Sequence, residues 1–154
     1  MMIRRIIPGF LFLVAVQICI AQTSGKAGFD KFVFGSSPSD YKDIQLEIDE
    51  GNTKLYTAKA SSPLSGVDFD AVNLTFNSNK LTSVAVKTRN GTGANFLNAL
   101  KNSYGAPLKS NPSKGVYEWK DDKINLVYEK YSNSQDASAS FYSVELYNAM
   151  KKKK

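Results

Sequence analysis

Asp68 and Asp70 are the two side chains whose spacing best suits chemistry. Two residues apart on a strand, they share one face, where a carboxylate pair binds calcium or divides acid and base roles in hydrolysis. The plainer reading is a solvated strand face beside a bulge. Asp121 and Asp122 adjoin within residues 120–123, a stretch with the composition of a tight turn, where aspartate serves turn geometry. Asp43, Glu47 and Glu50, with Asp49 near them, would line one exposed side of a helix. Gly91-Thr92-Gly93 is too short for a phosphate-binding loop and reads as the start of a helix.

The missing residue types restrict function further. The chain has no histidine, and its one cysteine is Cys19. A Ser-His-Asp triad, a histidine general base and the usual catalytic zinc site are therefore excluded. Beyond Cys19 there is no thiol nucleophile and no thiolate metal ligand. No catalytic residue, no metal and no cofactor is expected. Asn73-Leu74-Thr75 and Asn90-Gly91-Thr92 match the glycosylation acceptor pattern, but Asn73 falls in mid-strand and both read as chance matches.

The aromatic side chains are the better candidates for a site. If Val116, Ile124, Leu126, Val144 and Leu146 face the helices, then Tyr117, Trp119, Tyr131, Phe141 and Tyr147 point to the opposite face of the sheet. An uncovered sheet face with several aromatics suits a protein or peptide partner, because tyrosine and tryptophan are enriched at interaction hot spots. The alternative is that Tyr117 and Trp119 point into the core. A one-residue slip of register exchanges the two assignments.

The elements that must position these residues are organised around residues 92–119. Thr92 suits a helix N-cap, and Phe96, Leu97, Leu100 and Tyr104 form one apolar stripe. Gly105 and Pro107 end the helix. Gly115-Val116-Tyr117-Glu118-Trp119 then opens a strand. Upstream, residues 29–34 read as a first strand or an anchoring segment. Ser37, Pro38 and Asp40 mark a helix start, and Tyr41, Ile44 and Ile48 predict a short amphipathic helix to Glu50. Residues 54–60 read as a strand. Residues 67–76 and 81–88 read as a hairpin about residues 77–80, with a bulge near Asp70-Ala71 where the alternation changes phase. Strands over 124–128 and 140–147 complete the chain. The expected fold is α+β: two short helices packed on one face of an antiparallel sheet, in the order αβββ-αβββ, a weak internal repeat.

The N-terminus predicts export. Residues 1–5 are basic, residues 6–20 are mostly apolar, and Ala21 is the small residue a signal peptidase requires. Gln17 interrupts the apolar run, which is shorter than the roughly 20 residues of a spanning helix. Lipidation at Cys19 fits poorly, because Ile18 is not small. Residues 22–28 read as a disordered leader, 29–148 as one domain and 149–154 as a basic tail. Arg4, Arg5 and the lysines at 151–154 account for the whole excess of +6, so the body between is neutral. A neutral fold behind an export signal argues against nucleic-acid binding. Attraction of the lysine tail to anionic lipid or polysaccharide is the one membrane contact this charge pattern allows.

Three segments carry a family resemblance. Residues 32–41 (Phe-Val-Phe-Gly-Ser-Ser-Pro-Ser-Asp-Tyr) resemble the "aromatic, x, Gly, x, Ser" opening of small exported envelope proteins. Residues 76–84 resemble their "Phe, turn, Lys-Leu, x, x, Val" hairpin. Tyr104-Gly105-Ala106-Pro107, with Tyr117 and Trp119 downstream, resembles their "Tyr-Gly-x-Pro … Tyr-x-Trp" segment. The element order is similar to the β-lactamase-inhibitor-protein-like fold, which includes the small lipoprotein of the outer-membrane assembly machine. The inhibitors of that fold carry disulfides, and this chain cannot form one.

These readings converge on a non-enzymatic exported domain that binds a protein or peptide through its sheet face. The alternatives are an envelope structural or adhesion role for the lysine tail, and a hydrolase using carboxylates alone.

Overall fold

A computed structural model describes residues 28–59, 64 and 66–152. The expected signal peptide with Cys19, residues 22–27 of the leader, residues 60–63 and 65 of the loop before β5, and the last two lysines lie outside the described residues.

β1 (Gly28–Phe29) and β2 (Phe32–Val33) form a small hairpin turned at Asp30, which has φ 53°. Gly28, read as the end of the leader, thus belongs to the fold. Ser37 caps one 3-10 turn, Pro38–Asp40, and the Asp40 carboxylate accepts the Ser37 N–H at 2.8 Å. β3 (Ile44–Glu50) and β4 (Thr53–Ala58) form a hairpin about Gly51 and Asn52. β5 (Phe69–Asn77) and β6 (Lys80–Thr88) form the next, with Ser78 and Asn79 both at positive φ. α1 (Gly93–Tyr104) precedes β7 (Lys109–Asn111), β8 (Val116–Lys120), β9 (Ile124–Lys130) and β10 (Ala137–Ser143), and α2 (Val144–Lys151) ends the described chain.

β3 to β10 build one antiparallel sheet in the order β3-β4-β5-β6-β10-β9-β8-β7. Two four-stranded meanders meet at their last strands, β6 and β10. The fold is sheet-dominated α+β. Its element order differs from the expected αβββ-αβββ: a 3-10 turn and four strands are followed by a helix and four strands, then a helix.

Two segments exchange type relative to expectation. Residues 44–50 are a strand, not a helix. Ile44 and Ile48, four apart, satisfy both a helical and a strand period. Leu46 fits only the strand, where it shares a face with Ile44 and alternates with Gln45. A register shift between Leu46 and Ile48 marks a bulge at Glu47. At the other end, the strand expected over 140–147 stops at Ser143, whose hydroxyl accepts the Leu146 N–H at 3.3 Å and caps α2. Val144 and Leu146 had suggested continued alternation, but the cap turns the chain first. α2 continues through Ala149 to Lys151, into the stretch read as tail.

Direct cross-strand partners share a face, so the register assigns the core. One row runs from Leu46 through Tyr56, Leu74, Val84, Phe141 and Leu126 to Trp119. α1 covers this face with Phe96 and Leu100, both buried, and Leu97 and Tyr104 pack beside them. Phe29 and Phe32 of the β1–β2 hairpin lie on the same face, with the Phe29 ring 4.8 Å from Phe141. α2 contributes no buried residue, so α1 is the helix that covers the sheet.

The start of α1 is clamped from three sides. Thr92 Oγ1 donates to the Arg89 carbonyl (2.8 Å) and accepts the Asp68 N–H (3.1 Å). The Gly93 N–H donates to the Gln135 carbonyl (3.1 Å), and the buried Tyr128 hydroxyl donates to the Gly93 carbonyl (3.0 Å). A Cβ on Gly93 would lie 2.5 Å from the Gln135 oxygen, so only glycine permits this approach.

Candidate binding groove

The opposite face of the sheet has its own row. It runs from Lys120 through Asn125, Tyr142, Ser83, Thr75 and Leu55 to Ile48. The neighbouring row is Glu118, Val127, Ser140, Ala85, Asn73 and Thr57. Small and neutral side chains dominate the middle of both. Among the strand residues of this open face, Tyr142 is the one aromatic.

This registration corrects the expected face of three candidates. Trp119 and Phe141 lie in the covered row, 5% and 0% exposed, and Tyr117, paired with the buried Tyr128, shares their face. The Trp119 indole donates to the Gly105 carbonyl at 2.9 Å, which occupies its one polar group. The physical reason is the one-residue register: Leu126, taken as facing the helices, is the direct partner of Trp119 and Phe141 and so carries both inward. Tyr131 follows β9, half-buried, with the Lys87 ammonium 5.5 Å from its ring centroid. Tyr147 is 46% exposed on α2. The five residues therefore do not converge on one surface.

A groove of about 470 Å³ does form beside Tyr147. Its floor is the end of the open-face row: Lys120 from β8, Asn125 from β9 and Tyr142 from β10. Its wall is one side of α2, where Val144, Tyr147, Asn148 and Lys151 recur at helical spacing. The wall is fixed by the Ser143 cap and by the Val144 N–H, which donates to the Lys123 carbonyl at 2.9 Å. Tyr142 is 38% exposed, and the Lys151 ammonium sits 4.7 Å from the Tyr147 ring centroid. Among the described residues, Asn125 Oδ1 is a buried side-chain oxygen with no hydrogen-bond donor. Sequence reading passed over Tyr142, Asn125 and Asn148. The available signal was the run from Ala137 to Phe141, where Ala137, Ala139 and Phe141 alternate with Ser138, Ser140 and Tyr142 and so place Tyr142 outside.

The carboxylates have structural partners. Asp70 is the extra residue of a bulge between Phe69 and Ala71, where the change of phase predicted one. Asp68 Oδ2 accepts from Asn90 at 3.2 Å. Asp121 Oδ1 accepts the N–H groups of Lys123 and Ile124, both at 2.7 Å, and so builds its turn. Asp43, Glu47 and Glu50 are exposed along or beside edge strand β3, with Glu47 accepting from Thr57 at 2.9 Å. The Tyr128 hydroxyl is pushed up to about 12, by burial first and Tyr117 second. Tyr104 is raised by burial and then by Asp121. Both hydroxyls stay protonated near neutral pH.

No helix among the described residues is long and apolar enough to cross a membrane. The chain matches no family model, no curated protein and no solved structure.

Proposed function

We propose that the chain is an exported, non-enzymatic domain that binds a protein or peptide partner on the open face of its sheet, anchored in the groove beside α2. The convergence of Tyr142 and Tyr147 carries this reading. They are two of the five exposed large hydrophobic side chains among the described residues, and they come from different elements to one concavity. Tyrosine offers a large contact area at little entropic cost, with a hydroxyl that accepts or donates a hydrogen bond. Asn125 and Asn148 supply side-chain amides for orientation. Export rests on the signal-like residues 1–21 and on the resemblance of residues 32–146 to small envelope proteins and the β-lactamase-inhibitor-like fold.

The test is a peptide library selected in parallel on the wild-type chain and on a Tyr142→Ala/Tyr147→Ala variant. Sequences enriched on the wild type alone support the groove. Equal enrichment on both contradicts it.

A further inference from the structure

We infer that the groove takes an acidic peptide segment, an inference that rests on the peptide-binding reading above. Two cations, Lys120 on the floor and Lys151 on the wall, flank the tyrosines, and no carboxylate lines the groove among the described residues. Three acids near the groove are directed elsewhere. Glu118 pairs with Lys109 at 3.2 Å, and Asp121 is held by its own turn. Glu145 lies off the helix side that carries Val144, Tyr147, Asn148 and Lys151. The groove thus joins Lys120 of the neutral body to Lys151, the first of the terminal lysines that carry the chain's positive excess.

Hydrogen-bond capacity points to a polypeptide occupant. Asn125 and Asn148 line the groove, and each carries the donor and acceptor of a peptide group. A backbone group meets the Asn148 amide while a glutamate or aspartate side chain meets an ammonium group. Tyr142 and Tyr147 then cover an apolar side chain between them. Both lysines are exposed, so each ion pair is modest and screened by salt; two together give about tenfold in affinity.

The experiment uses two fluorescein-labelled peptides of alternating glutamate, serine and phenylalanine, identical except that the second carries glutamine for glutamate. Fluorescence anisotropy follows their binding to the full chain. The glutamate peptide is expected to bind about tenfold more tightly at low salt. The preference should vanish in about 1 M salt, where the Debye length falls to about 3 Å. It should vanish also in a Lys120→Gln/Lys151→Gln variant. Equal affinities of the two peptides for the wild type, lost in Tyr142→Ala, would overturn the acidic occupant and leave the peptide groove standing. Binding of neither peptide would overturn the inference alone, because the library selection decides the broader reading independently. Displacement of the bound glutamate peptide by polygalacturonate at lower concentration than by the unlabelled peptide would make the groove a glycan site and overturn it too.

Discussion

The Trp119 indole N–H donates to the carbonyl of Gly105 at 2.9 Å, joining β8 to the residue that ends α1. Gly105 has φ 75°, and this left-handed turn aims its carbonyl at the sheet instead of along the helix. The tryptophan therefore closes the covered face. Its emission should be blue-shifted and resistant to acrylamide. Trp119→Phe should cost about 1–3 kcal/mol in urea unfolding, since the Gly105 carbonyl loses its donor. A red-shifted, freely quenched emission would return Trp119 to the surface.

Phe141 and Tyr142 are sequence neighbours on opposite faces of β10. Phe141→Ala should cost about 3–5 kcal/mol through the cavity it leaves. Tyr142→Ala should change stability by roughly 0.5 kcal/mol or less and abolish ligand binding. Denaturant titration of both variants, with a peptide-binding assay on the second, checks the register. Comparable destabilisation of the two would contradict it.

The burial of Tyr128, with Tyr117 beside it, gives a pH signature. The folded-state value of Tyr128 lies at about 12, above the usual 10, so the neutral hydroxyl is favoured by folding. Its contribution is complete below about pH 10 and is lost as pH rises through about 12, a loss of about 2–3 kcal/mol. Tyr128→Phe should lower stability by about 1 kcal/mol near neutral pH and flatten the alkaline decline, leaving the slope from Tyr104. Gly93→Ala should be costlier, about 1–3 kcal/mol, because the methyl meets the Gln135 carbonyl. Urea midpoints across the alkaline range read both. An unchanged alkaline slope in Tyr128→Phe would sink the assignment.

Ser143 decides where the sheet stops and the groove wall begins. Ser143→Ala should remove about 1 kcal/mol of helix stability. Hydrogen exchange should then accelerate in α2 while β9 and β10 stay protected. Exchange in α2 indifferent to this change would mean that the cap does not hold the wall.

Legibility followed how many patterns a segment satisfies. Phe96, Leu97, Leu100 and Tyr104 fit one period, and Gly105 with Pro107 bounds it, so α1 was readable. The Asp70 bulge was readable because Phe69 and Val72 cannot share a face without an extra residue. Ile44 and Ile48 fit two periods, Leu46 alone favours the strand, and pairing with β4 decides it. The aromatic site failed for a related reason. Val116, Tyr117, Glu118 and Trp119 offer apolar side chains to both faces of β8, so only pairing with Leu126 decides which face is inside. The groove depends on Ser143 acting as a cap, and a serine within an apparently continuing alternation gives little warning of it.

The most direct test of the binding groove is chemical-shift mapping of the ¹⁵N-labelled chain titrated with a library-selected peptide. The largest shifts should fall on Lys120, Asn125, Tyr142, Tyr147 and Asn148, while Trp119 and the α1 amides barely move. Shifts centred on the exposed edge strand at Leu46 and Ile48, with the groove silent, would contradict it.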